Sequence, residues 1–99
     1  MSDVAPGNAS DETGTVLVRY WAAARSAAGV AEETYAAPST LDRLLAEVVT
    51  RHRDRPRLAE VVSICSVLVG DRPVGTSDPA TVVLRAGDTV EMLPPFAGG

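Results

Sequence analysis

The stretch STLDRLLAEVVTRHR, residues 39 to 53, carries the strongest periodic signal in the chain. Leu41, Leu44, Leu45, Val48 and Val49 recur at i, i+3, i+4, i+7 and i+8, the spacing of one apolar stripe on an amphipathic helix of about four turns. Ser39 and Asp42, three apart at its start, fit a capping box in which the hydroxyl serves an orphan backbone N–H. Arginines at the far end suit the negative pole of the helix dipole. Pro56 stops the helix, and RLAEVV (57 to 62) reads as another helical turn. A single stripe of this kind must be buried against a partner layer, so the flanking segments decide the fold class.

Those flanks are strand-like. TVLVRYW (15 to 21) is β-branched and aromatic. Val16, Val18 and Tyr20 share one face, read as the core face. Leu17, Arg19 and Trp21 share the other, where the arginine implies contact with water or a partner. AAARSAAG (22 to 29) reads as a short helical turn closed by Gly29, and EETYAA (32 to 37) as a second strand. CSVLVG (65 to 70) is an apolar strand. Pro73, Gly75 and Pro79 forbid a long element in DRPVGTSDPATVV. A turn at Ala86–Gly87–Asp88 leads to a last strand, Thr89 to Leu93, with Val90 and Met92 on one face; Pro94 and Pro95 end it because neither can donate to a ladder. The pattern predicts an α+β fold, a mixed sheet of four to five strands with one main helix across one face. The other face stays open, with Leu17, Trp21 and Leu93 on or near it, and an open apolar patch marks a binding site.

The chain has 99 residues, one cysteine and one histidine, so it forms one domain with no intrachain disulfide and no Cys/His metal cluster. Residues 1 to 14 read as a flexible polar tail with neither a secretory signal nor a membrane span, residues 15 to 93 as the folded domain, and 94 to 99 as an extended tail. A cytoplasmic location fits this composition. The net charge of −4 argues against nucleic acid, despite the basic cluster RHRDRPR (51 to 57). All nine basic residues are arginine, so no side-chain amine exists in the chain.

Self-contained catalysis finds no support. His52 lies among arginines, Cys65 on an apolar strand reads as a small hydrophobe, Gly70 and Gly75 lack phosphate-loop spacing, and Glu32 and Glu33 carry no pocket signal. The ending PPFAGG (94 to 99) is different in kind. Two prolines stiffen its root, while Gly98 and Gly99 lack a Cβ and can thread a channel too narrow for other residues. Fully extended, these six residues reach about 20 Å, the depth of an enzyme cleft. The α-carboxyl they deliver is ionised at neutral pH and a poor acceptor for nucleophiles, so it needs activation by another enzyme.

From Val16 to Gly99 the sequence resembles the MoaD branch of the MoaD/ThiS ubiquitin-like sulfur carriers, small subunits of molybdopterin synthase. The resemblance rests on VLVRYWAAARSAAG, STLDRLLAEVV, LRAGDTVEMLPP and PPFAGG. Carriers of the ThiS type share the ending but usually lack the aromatic-Ala-x-x-Arg opening, here Trp21, Ala22 and Arg25. The resemblance implies a β-grasp fold and no enzymatic activity of the chain alone. It further implies that a MoeB-type adenylating enzyme consumes ATP to activate the Gly99 carboxyl, and that a sulfur donor protein converts it to a thiocarboxylate. The tail (Ala97, Gly98, Gly99) then enters a MoaE-type large subunit and delivers sulfur to the pyranopterin precursor. Docking is implied for Trp21, Arg25, Leu93, Pro94, Pro95 and Phe96. No metal and no cofactor bound by the chain is implied. The alternatives are a carrier for thiamin or cysteine synthesis, a ubiquitin-like protein modifier, and a non-covalent interaction module.

Overall fold

The computed structural model describes residues 14–36 and 40–95. The expectations for most of the leader (1–13), for Ser39 and for Phe96, Ala97, Gly98 and Gly99 therefore lie outside the described residues. The elements are β1 (Thr15–Tyr20), α1 (Ala22–Ala28), β2 (Glu32–Ala36), α2 (Leu41–Arg51), α3 (Pro56–Ile64), β3 (Ser66–Val69), β4 (Arg72–Pro73), a 3-10 turn (Pro79–Thr81) and β5 (Thr89–Leu93). The five strands form one sheet in the order β2-β1-β5-β3-β4. β1 pairs parallel to β5, and the other pairings are antiparallel. This is the β-grasp arrangement.

Strand alternation does the sorting between faces. Val16, Val18 and Tyr20 of β1, Tyr35 of β2 and Val90 and Met92 of β5 are buried beneath the helices. They pack with Ala24, Ala27 and Ala28 of α1, Leu41, Leu44 and Val48 of α2, and Leu58, Val61 and Val62 of α3 in one core. Truncating a fully buried member such as Leu44 to alanine belongs to the class of changes that costs about 2–5 kcal/mol. The α2 stripe is narrower than its spacing implies: Leu45 is only partly buried and Val49 is exposed. The helix is also shorter, at 11 residues.

Its start differs as well. Thr40, not Ser39, occupies the N-cap position, and its hydroxyl donates to the Asp42 carboxylate rather than accepting from a backbone N–H. The reason is tertiary. Thr40 forms an isolated bridge with Val83, and the Leu41 N–H donates to the Val82 carbonyl at 2.9 Å, so Thr40 is held extended and the helix begins at Leu41. Pro56 ends nothing; it begins α3 at a position whose N–H has no helical partner anyway, and the single further turn read from RLAEVV becomes nine residues. Gly29 caps α1 in the left-handed conformation, φ 82°, as its position implied.

One polar cluster ties β2 to the end of α2. A single oxygen of Glu33, Oε2, accepts from Tyr20 Oη (2.7 Å), from Tyr35 Oη (2.8 Å) and from His52 Nε2. The Arg51 guanidinium lies 3.7 Å from the Tyr35 ring centre and donates to the Thr34 carbonyl at 2.9 Å, covering part of the sheet's free edge. Burial works to raise the Glu33 pKa, but the hydrogen bonds from His52, Tyr20 and Tyr35 outweigh it and hold the carboxyl below its ordinary value. Burial drives the Tyr20 phenol far above its ordinary value and the Tyr35 phenol up to about 12, so both remain donors. Because the folded-state value of Glu33 lies below the unfolded one, its contribution is fully present above about pH 4.3 and is lost as pH falls through the lowered value. Glu33→Gln should therefore cost most near neutrality and progressively less below about pH 4, as chemical denaturation at several pH values will show. Glu33→Ala, which leaves two buried phenols short of their acceptor, should cost on the order of 2–4 kcal/mol.

Candidate functional site

Parallel pairing of β1 with β5 sends both strands out of the sheet at the same end. Leu93 closes β5, Pro94 and Pro95 follow, and Trp21 is the first residue after β1; its N–H donates to the Met92 carbonyl at 3.1 Å. Ala22 adopts φ 49°, a left-handed conformation that costs an alanine about 1–2 kcal/mol and turns the chain abruptly into α1. The turn leaves Trp21 at the rim of the open face, 41% exposed.

Here the open face carries an apolar recess of about 500 Å³. It is lined by Trp21 and Ala22 on the β1 side, by Leu93, Pro94 and Pro95 at the end of the central strand β5, and by Ser66 and Leu68 of β3 on the far side. Among the described residues no charged side chain lines it. The charges stand beside it in a row across the sheet, where Arg19 is in register with Glu32 on one side and Glu91 on the other. Arg19 Nε is 3.6 Å from the Glu32 carboxylate. Its guanidinium carbon is 5.1 Å from the Trp21 ring centre, and the Trp21 indole N–H donates to Glu91 Oε1 at 2.8 Å. The larger open groove of about 690 Å³ is on the other flank, between Tyr35 and the charged end of α2 (Glu47, Arg51, Arg53, Asp54). Among the described residues no His, Cys, Asp or Glu side chains group as metal ligands, and no helix is long and apolar enough to cross a membrane.

The ThiS family model matches residues 18–99. The chain belongs to the ThiS family. It is 31% identical over 86 residues to the molybdopterin synthase sulfur carrier subunit of Chlamydomonas reinhardtii, a match covering 85% of this chain and 98% of the relative. Among solved structures, a Pyrococcus furiosus chain assigned as molybdopterin converting factor subunit 1 superposes with a TM-score of 0.67 at 27% identity, over 83% of this chain and 98% of that one. Small archaeal modifier protein 1 of Methanosarcina acetivorans superposes with a TM-score of 0.71 at 20% identity (86% and 96%), a likeness of fold. So does a chain in the Helicobacter pylori complex of molybdopterin-converting factor subunits 1 and 2, with a TM-score of 0.57 at 22% identity (86% and 99%). This chain is thus a ubiquitin-like sulfur carrier of the MoaD/ThiS family.

Of the site residues expected in this ThiS-family chain, the structure brings Trp21, Leu93, Pro94 and Pro95 together around the recess. Arg25 is exposed on α1 and lies outside the recess lining. Leu17 is on the open face but also outside it. Sequence reasoning placed Arg19 beside Trp21 on the open face but missed Ser66, Leu68 and Glu91. Alternation within SVLV and TVEML would have placed these three, and a parallel β1–β5 register would have joined them to Trp21.

The two residues with nucleophilic or basic chemistry are not paired. His52 is engaged by Glu33, while Cys65 sits between α3 and β3 against the core. Burial pushes the Cys65 thiol up to about 11. At pH 8 its thiolate is then roughly a hundredfold scarcer than that of an ordinary cysteine, so alkylation by iodoacetamide should be slower in the native chain than in urea by about that factor. Stopped-time mass spectrometry of the alkylated chain measures it.

Proposed function

We propose that this chain is the sulfur carrier subunit of a cytoplasmic molybdopterin synthase, and that its reactive atom is the carbonyl carbon of Gly99. The observation that carries the proposal is the joint placement of the tail root and the open recess, on a chain that matches a sulfur carrier subunit across 98% of that relative's length. Among the described residues His52 and Cys65 form no catalytic pair. In this reading the folded body is a handle that presents a carboxylate to other proteins.

The chemistry needs an activated carboxyl. A Gly99 carboxylate oxygen attacks the α-phosphorus of ATP in an adenylating partner of the MoeB type; pyrophosphate leaves and an acyl adenylate forms. Sulfur at the sulfide oxidation level, released by a sulfur donor protein, then attacks the carbonyl carbon and AMP departs, leaving a thiocarboxylate. Its sulfur is a strong nucleophile where the carboxylate oxygen was a poor one. A MoaE-type large subunit takes up the tail and orients that sulfur against the pyranopterin precursor, with Gly98 and Ala97 giving clearance along the channel. Docking uses the recess of Trp21, Leu93, Pro94 and Pro95, joined by Phe96 and flanked by Arg25. The chain is not an enzyme alone and binds no cofactor.

The likeness in fold to an archaeal modifier protein keeps a second reading in view, in which Gly99 is joined to lysines of other proteins. A chain with no lysine cannot carry that linkage on its own side chains. Peptides bearing a Gly-Gly remnant on target lysines, traced to this chain, would favour the modifier reading.

Incubation with ATP, the adenylating enzyme and a sulfur donor should raise the intact mass by the oxygen-to-sulfur difference. One residue added after Gly99 should leave the melting curve unchanged and abolish that rise, because the carboxyl is then misplaced for adenylation. Loading of the extended chain would defeat the proposal. Leu93→Asp, which places a charge in the apolar wall, should weaken large-subunit binding by at least about tenfold in calorimetry while leaving the fold intact.

A further inference from the structure

The row of charges beside the recess has no role in the core. Glu91, on β5, lies on the open face, and removing its carboxylate would unsatisfy no buried group. What it does contact is the edge of Trp21. The indole N–H donates to Glu91 Oε1 at 2.8 Å and the ring lies 5.1 Å from the Arg19 guanidinium carbon. Arg19 is in turn held near Glu32 at 3.6 Å. A large ring at 41% exposure would ordinarily sample several rotamers; this one is fixed at its nitrogen and supported near its ring.

We infer that Glu91 is a positioning residue for partner docking: it fixes the Trp21 indole, with support from Arg19, as a rigid wall of the recess before the partner arrives. This rests on the docking role proposed above for the recess. Two physical consequences follow. A side chain ordered beforehand loses less rotational freedom on association. An indole N–H already satisfied within the chain demands no acceptor from the partner, whose surface over the recess can then be wholly apolar. The partner surface that fits the recess is an apolar knob, and Glu91 acts on it only through the indole it holds.

The chain has a single tryptophan, so its fluorescence reports on this contact alone. In the free chain, Glu91→Ala should increase acrylamide quenching of Trp21 and lower its anisotropy. Glu91→Gln, which keeps an acceptor oxygen, should behave as the wild type. Affinity for the isolated large subunit should fall about three- to tenfold in Glu91→Ala and recover in Glu91→Gln, with unchanged melting curves. Arg19→Gln, which removes the supporting cation and leaves the acceptor, should shift both readouts in the same direction by less. Unchanged quenching in Glu91→Ala overturns the inference, as does a loss of affinity that Glu91→Gln fails to restore. Trp21→Ala separates the two levels of argument. If it binds the large subunit as tightly as wild type, the docking role of the recess is wrong; if it weakens binding while Glu91→Ala does not, only the positioning role is wrong.

Discussion

The structure depends on the parallel contact between its first and last strands. Two parallel neighbours cannot be joined by a hairpin, so the chain between β1 and β5 is one long crossover: β2, β3 and β4 extend the sheet within it, and its helices cover one face. That crossover supplies α1, α2 and α3, and it explains why they share one face. The register, Val18 with Val90 and Tyr20 with Met92, sets two core rows side by side. A slip by one residue would turn Val90 and Met92 outward and bring Glu91 into the core, so the burial pattern itself enforces the pairing.

The same contact explains which parts of the fold were legible. Features that depend on neighbours in sequence came through: the alternation that buries Val16, Val18 and Tyr20, the stripe of Leu41, Leu44 and Val48, the cap at Gly29, the proline stop after Leu93. Features set by distant partners did not. Thr40 displaces Ser39 as the cap because Val82 and Val83, some forty residues on, hold the entry to α2. Glu33 reads as one of two adjacent surface acids until α2 brings His52 to it. Glu91 and Trp21 are 70 residues apart, and only the β1–β5 register makes them neighbours. The site was half visible for the same reason. Trp21 and Leu93 announce themselves by being large and apolar on a polar-facing register, whereas Glu91 on an exposed strand face resembles any solubilising acid.

Residues with intrinsic reactivity turn out to serve the body rather than any chemistry. His52 is occupied by a carboxylate that also receives two phenols, and this cluster closes the gap between the end of α2 and the edge strand β2. Cys65 is kept protonated by burial. Both facts fit the proposal that the reactive group is carried outside the folded body.

Tyr20 and Trp21 condense the division of labour into two adjacent residues. One points into the helix-covered face and the other toward open solvent, and each has its polar atom held by a glutamate from a neighbouring strand, Glu33 of β2 and Glu91 of β5. The inner pair is almost closed to water, so its hydrogen bonds act in a low-dielectric setting and contribute to stability. The outer pair is wet, and a hydrogen bond there adds little to folding. In the docking role proposed for this face, that hydrogen bond orders the indole beforehand and strengthens when a partner covers the face and removes the water. In that reading stability and recognition fall on opposite sides of the same strand, and the outer side can change to suit a new partner without the core having to change with it.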